Sequence, residues 1–276
     1  MKNWFITGIS RGLGLALAKA VLADGDNVIG TVRETAPLLS SGGGRLRVLK
    51  ADMSDKEGSE SVVREAFQML GKIDVIVNNA GYGLLGAVET STEEELRHLF
   101  EVDVFAPIRI TRTALPYLRA QGSGHIVNIT SIAGRAPGVG IALYAAAKFA
   151  IEGFSASLSQ EVAPLGIRVT AIVPGQFRTD FLDDTSVRKS SSEDTAYDNT
   201  VGATMAKLAQ VNHKQLGNPD RAARVIVEAV KSDNPPLHLL LGSDALQRAR
   251  SKLEAVVQEM EDWEAQTVST DFAASS

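Results

Sequence analysis

The chain has no cysteine among its 276 residues, so disulfides and thiol chemistry are excluded, although a disulfide-free protein fits any compartment. It has no excess of positive charge. Its formal net charge of -5, with acidic and basic residues interspersed, offers no face to a polyanion and argues against nucleic acid as a partner. No uninterrupted apolar run approaches the length of a membrane span, and Met1-Lys2-Asn3 leads straight into an apolar strand without a basic-apolar-small leader. Both absences point away from a membrane and towards a soluble, cytoplasmic protein. No Pro/Gly/Ser-rich linker divides the chain, and 44% hydrophobic residues are enough to fill one large core. A single domain over residues 1–276 is expected.

What is present alternates between two periods. Strands are expected at Trp4 to Thr7, Asn27 to Val32, Leu46 to Lys50, Ile73 to Asn78, Gly124 to Thr130, Ile167 to Val173 and Leu237 to Leu241. Helices fall between them: Gly12 to Ala23, Glu57 to Leu70, Thr92 to Arg119 with a break near Val102, Ala142 to Ala163 and Pro219 to Ser232, with a C-terminal extension over 244–276 whose helix runs from Asp244 to Trp263. Runs such as Val75-Ile76-Val77 are apolar without alternation, as strands covered on both faces must be. Repeated strand-helix units of this kind specify an α/β fold, a doubly wound parallel sheet of about seven strands flanked by helices. Ligands on such sheets bind beyond the carboxyl ends of the strands, where Gly8, Asn79, Ser131 and Pro174 gather.

Two constellations carry chemistry. Tyr144-Ala145-Ala146-Ala147-Lys148 places a phenol and an ammonium one helical turn apart on one face, so a protonated Lys148 favours the phenolate and eases proton exchange at Tyr144. Ser131 lies thirteen residues upstream of Tyr144. At the other end of the chain, Gly8-Ile9-Ser10-Arg11-Gly12-Leu13-Gly14 joins the first strand to the first helix. Strand, glycine loop and helix start form a phosphate cradle, because glycine allows close approach and the unpaired N–H groups of a helix start favour negative charge.

Together these residues resemble the short-chain dehydrogenase/reductase family, from Met1 to about Thr179. Thr7-Gly8-x-x-x-Gly12-x-Gly14, Asp52, Asn78-Asn79-Ala80-Gly81, Ser131, Tyr144, Lys148, and Pro174-Gly175 with Thr179 all match in order and spacing. The resemblance implies a Rossmann-type fold and hydride transfer between nicotinamide C4 and a carbonyl or secondary alcohol. In that scheme Tyr144 exchanges the proton, Ser131 binds the same oxygen, and Lys148 binds the nicotinamide ribose. It also implies that Asp52 meets the adenine amino group beside Met53, that Asn79-Ala80-Gly81 passes the adenosine ribose, and that Pro174, Gly175, Phe177 and Thr179 clamp the carboxamide. Asp52 has a second reading as the cap of the following helix.

Cofactor preference turns on charge near the adenosine ribose. NAD-preferring relatives carry Asp where this chain has Val32, and Arg33 follows, with Arg11 in the glycine loop. Two guanidiniums suit the 2′-phosphate of NADP(H) and would meet no comparable anion in NAD(H). The chain departs from the family pattern at Asp103, where many relatives have Asn as the fourth member of a proton relay. Asp103 keeps the acceptor oxygen, loses the amide donor, and is expected to favour the charged form of Lys148.

No metal site is expected. The substrate is a small carbonyl or alcohol compound, expected to be apolar because Tyr82, Leu84, Leu85, Val139, Ile141, Phe181 and Leu182 offer an apolar wall. The polar segment around 181–217, including Asp183-Asp184-Thr185-Ser186 and Ser190-Ser191-Ser192-Glu193-Asp194, suits a lid. A non-catalytic cofactor sensor on the same fold and a nicotinamide-dependent epimerase or dehydratase stay open as alternatives. By resemblance, Ala142 to Ala163 and the helix containing Val104 to Arg119 pair copies into a homodimer or homotetramer.

Overall fold

A computed structural model describes residues 1–37, 43–179, 187–190 and 194–272. In chain order the elements are β1 (Asn3–Ile6), α1 (Gly12–Ala23), β2 (Asn27–Val32), β3 (Leu46–Lys50), α2 (Lys56–Leu70), β4 (Val75–Asn78), β5 (Gly83–Leu85) and α3 (Glu93–Phe100). They continue with a π-helical turn (Glu101–Phe105), α4 (Ala106–Gln121), β6 (Gly124–Ile129), α5 (Ala142–Val162), β7 (Ile167–Pro174) and β8 (Val187–Lys189). The last are α6 (Ala203–Val211), α7 (Pro219–Lys231), β9 (His238–Leu241), α8 (Ser243–Asp262) and α9 (Glu264–Val268).

Seven strands form one parallel sheet in the order β3-β2-β1-β4-β6-β7-β9. The order reverses between β1 and β4, which opens a crevice at the carboxyl ends. On one face, α1 and α7 bury Leu17, Val21, Ile226 and Val230 against Trp4, Ile6 and Val77. On the other, α2, α4 and α5 bury Phe67, Ile110, Leu118 and Leu158 against Phe5, Ile76 and Ile126. Both faces of the sheet are therefore dry, which explains the unalternated strands. The seven expected strands are the seven of this sheet, although the fourth begins at Val75 rather than Ile73.

The expected break near Val102 is the π-helical turn between α3 and α4. α3 starts at a capping box, Thr92 accepting from the Glu95 N–H while the Glu95 carboxylate accepts from the Thr92 N–H. α2 is capped by Asp55, which accepts from the N–H groups of Glu57 and Gly58. The cap is thus Asp55 and not Asp52, and Asp52 is left facing the crevice.

A two-stranded parallel ribbon of β5 and β8, the helix α6 and the short α9 were not apparent in the sequence. Of the expected lid, Phe181, Leu182, Asp183-Asp184-Thr185-Ser186 and Ser191-Ser192-Glu193 lie outside the described residues. Among the described residues no helix is long and apolar enough to cross a membrane.

Candidate active site

The crevice forms where four strand ends meet. After β1, the Thr7 hydroxyl accepts from the Asn79 and Ala80 N–H groups, each at 3.0 Å. The Asn79 amide answers by donating to the carbonyls of Thr7 and Gly8, at 2.8 and 2.9 Å. These bonds lock the glycine loop to the end of β4. Gly8 and Gly12 sit at φ +72° and +58°, where a side chain is disfavoured. At Gly14 the constraint is space: a Cβ would lie 2.3 Å from both the Asn79 amide nitrogen and the Gly8 carbonyl oxygen.

Among the described residues no side chain caps α1, and its first turn, Gly12 to Gly14, lines the crevice at the loop. That arrangement fits a cofactor diphosphate. Ile9 is the one loop residue that turns away, its side chain fully buried in the core and filling the space beside Gly30. Its part in the site is confined to backbone.

A chain of buried amides and hydroxyls aligns α5 with the sheet. Asn78 donates to Asn128 at 2.8 Å, Asn128 to Ser155 at 2.8 Å, and Ser155 to the Ile151 carbonyl at 2.7 Å. The face of α5 so fixed carries Tyr144 and Lys148, both buried. The Tyr144 hydroxyl is hydrogen-bonded to Ser131, and Ser131 also accepts from the Ala133 N–H at 3.1 Å. Lys148 Nζ lies 5.5 Å from the centre of the Tyr144 ring. It donates to the Ile129 carbonyl at 3.4 Å and lies 3.1 Å from Asp103 Oδ2. The other Asp103 oxygen accepts from the Tyr82 N–H at 3.0 Å. Gly81 permits this approach, since a Cβ there would meet the Asp103 oxygens at 3.1 and 3.2 Å.

The electrostatics correct one expectation. Lys148 does pull the Tyr144 hydroxyl downward, yet the phenol sits above its ordinary value, because burial raises it more and Asp103 raises it further. Burial also lifts the Asp103 carboxyl, against the opposing pull of Lys148. Burial would lower the Lys148 ammonium, but Asp103 and Tyr144 carry it above its usual range. The ammonium is thus shared between the phenol and a carboxylate. Tyr82, in the same crevice, is pushed up to about 12, first by burial.

Nearly all the expected site residues line one crevice with a cavity volume of about 350 Å³: Gly8, Ser10, Arg11, Gly12, Leu13 and Gly14 at one end, Arg33, Asp52 and Met53 beyond them, and Ser131, Tyr144 and Lys148 opposite Pro174, Gly175, Phe177 and Thr179. Asn79, Ala80 and Gly81 form the floor between. Burial tends to raise the Asp52 carboxyl, but it is held below its ordinary value by hydrogen bonds from Ser54 and the charge of Arg33. Asp103 stands just behind the lining, reaching it through Lys148. Of the expected apolar wall, Tyr82, Leu85 and Ile141 line the crevice, whereas Leu84 is buried in the core and Val139 is about half exposed, outside the lining.

Residues from distant segments join them. Arg188 on β8 lies 4.9 Å from the centre of the Tyr82 ring, and the His98 ring of α3 packs against that ring at 5.4 Å between centres, tilted by 40°. Burial and the charge of Arg188 keep His98 below its ordinary value. Asp244 at the start of α8 accepts from the Gln176 N–H at 2.8 Å and fills the space that a side chain at Gly175 would need. It thereby pins the loop after β7. A charged residue opening the last helix was the only sequence signal for it.

A parallel sheet with a phosphate cradle at its switch point and a Ser-Tyr-Lys cluster at the next strand end defines a nucleotide-dependent oxidoreductase. The short chain dehydrogenase family model matches residues 2–190. An oxidoreductase of Botryotinia fuckeliana, BOA17, is 37% identical over 266 residues, 95% of this chain and 96% of that protein. The crystal structure of a short-chain dehydrogenase from Streptomyces avermitilis is 40% identical, covers 98% of this chain and 100% of its own, and superposes with a TM-score of 0.91. A short-chain oxidoreductase of metagenomic origin, solved in complex with NADP, is 25% identical over 87% of this chain and 96% of its own, with a TM-score of 0.69. The chain belongs to the short-chain dehydrogenase/reductase family. It is an oxidoreductase acting on CH–OH or C=O groups with a nicotinamide cofactor.

Proposed function

We propose that the protein uses NADP(H) to interconvert an apolar carbonyl compound and its alcohol, with Tyr144 exchanging the proton on the substrate oxygen. The observation that carries this reading is the Tyr144–Ser131 hydrogen bond, set inside the crevice with Lys148 beside the phenol ring. A bound nicotinamide supplies or accepts the hydride at its C4. In the reducing direction the substrate oxygen gains negative charge, and two preorganised donors, Tyr144 and Ser131, favour that state over the ground state. The phenol, ordinarily protonated at neutral pH, is raised further by burial, and the protonated form is the one a proton donor needs. Lys148 then offsets the phenolate left behind, and Asp103 holds that ammonium in place.

Arg33 and Arg11 at the rim favour a 2′-phosphate, and Val32 brings no carboxylate to bind a ribose hydroxyl. Asp52, Met53 and Asn79 to Gly81 suit the adenosine half, and Pro174, Gly175, Phe177 and Thr179 the carboxamide. Leu85, Ile141, Val187 and Leu208 favour a hydrophobic ketone, aldehyde or alcohol over a sugar. Val187, Arg188, Leu208 and Gln215 border the crevice, as parts of a lid over 181–217 would. Exposed Phe105 and Phe149 support pairing of copies through the α4 and α5 layer.

The test is a panel of ketones, aldehydes and alcohols, followed at the absorbance band of the reduced nicotinamide with each cofactor. Turnover of an apolar carbonyl with NADPH is expected. A protein that binds NADPH but oxidises none across the panel is a sensor instead, and a product formed without net cofactor consumption marks an epimerase or dehydratase. A clear preference for NADH refutes the NADP(H) assignment.

A further inference from the structure

The helix α8 leaves the body of the molecule after its first two turns. Ala245 and Ala249 are buried, and Arg248 donates to the Ala136 carbonyl. From Arg250 to Asp262 every residue except Val256 is exposed. Thirteen residues of helix without support from the body are marginal in water, because most helix stability comes from packing an apolar face.

Such a face exists and, among the described residues, nothing covers it. Leu246, Leu253, Val257 and Met260 recur at spacings of seven, four and three, which places them on one side. Leu253, Val257 and Met260 are 62%, 51% and 66% exposed.

The charges on α8 say what covers it. Beyond Asp244, which is engaged with the Gln176 N–H, Arg248, Arg250 and Lys252 occupy the first half, and Glu254, Glu259, Glu261 and Asp262 the second, followed by Glu264 at the start of α9. From Arg248 onward this is the reverse of what the helix dipole favours, acids near the start and bases near the end. A parallel neighbour of the same sequence would set acid against acid. An antiparallel one sets the basic half of each helix along the acidic half of the other and satisfies both.

We propose that α8 pairs antiparallel with α8 of a second copy of this chain, about a twofold axis near Ala255. The shared register then sets Leu253 beside Val257 of the second copy and Lys252 beside Glu259 of the second copy. Within α8 the overlap runs from Arg248 to Asp262 and spans about 22 Å at ~1.5 Å per residue. The interface is isologous, so each contact occurs twice. It is separate from the α4 and α5 surface and does not depend on the reaction.

Light scattering on the full chain tests this. Leu253→Glu with Val257→Glu is expected to halve the mass of the assembly, whatever other contacts exist, while turnover per chain stays within about twofold of the parent. An unchanged mass, or a parent that is already a monomer, overturns the pairing. Lys252→Glu alone and Glu259→Lys alone are each expected to weaken association by roughly tenfold. The two together are expected to restore it, because the swapped charges face each other only across an antiparallel pair. Failure of the double variant to recover overturns the antiparallel register.

Discussion

Asp103 Oδ2 faces Lys148 Nζ at 3.1 Å, with both side chains buried. An Asn at this position would keep the bond from the Tyr82 N–H, but turning its oxygen there leaves an amide donor pointing at an ammonium. The carboxylate therefore makes a direct ion pair that the amide of related chains is unable to make.

Asp103→Asn tests the consequence. The carboxylate raises both Lys148 and Tyr144, so its removal lowers both. In alcohol oxidation, activity rises with pH as Tyr144 loses its proton, and in the variant that rise is expected at lower pH. A profile with neither limb moved removes Asp103 from the proton path.

Tyr144→Phe deletes the phenol hydrogen-bonded to Ser131 and is expected to lower kcat by at least ~100-fold. Lys148→Met leaves Asp103 buried without its cation, and should cost both turnover and cofactor affinity. Ser131→Ala removes one of two donors and is expected to lower kcat less than Tyr144→Phe does. Nicotinamide-monitored turnover measures all three, and full activity in Tyr144→Phe refutes the assignment.

The glycine loop and the Tyr144–Lys148 pair were legible because both are local: a loop between two elements and one turn of helix fix them before any tertiary contact forms. The sign of the Tyr144 shift was not legible. It depends on burial, which is set by the packing of α5 on the sheet, and on Asp103, whose burial beside Lys148 is likewise set by tertiary packing. His98, Arg188 and Asp244 were missed for the same reason, since each reaches the crevice from a segment remote in sequence. Val139 was misjudged because an apolar residue in a loop carries no pattern that tells wall from surface, and a loop motif does not say that the Ile9 side chain is the one that turns inward.

Arg33→Ala separates the two cofactors. If Arg33 binds the 2′-phosphate, its loss removes a charge-assisted hydrogen bond, and KM for NADPH is expected to rise by about tenfold or more. KM for NADH should barely move. Equal effects on both cofactors assign Arg33 to the surface.

Gly14→Ala puts a methyl group 2.3 Å from the Gly8 carbonyl oxygen and the Asn79 amide. Both belong to the lock between the glycine loop and β4, so the loop must shift. NADPH affinity measured by fluorescence titration is expected to fall at least ~10-fold, with a modest loss of melting temperature. Unchanged affinity would show that the cradle tolerates the displacement.

His125 gives the fold an acid-sensitive element away from the crevice. Its ring nitrogen lies 2.9 Å from the Thr170 hydroxyl. Burial, aided by Arg168 and Lys2, lowers the imidazole to about 4. The unfolded chain binds this proton near its ordinary value of about 6.5, the folded chain only near the lower value, so protons favour unfolding between the two. Stability is therefore lost as pH falls through that window, by up to about 3 kcal/mol from this group, and the loss is complete below the folded value. His125→Gln keeps a donor for Thr170 and has no proton to bind. Urea midpoints of the two proteins are expected to converge or cross as pH drops from 7 to 4, and parallel curves over that range rule out the imidazole as the cause.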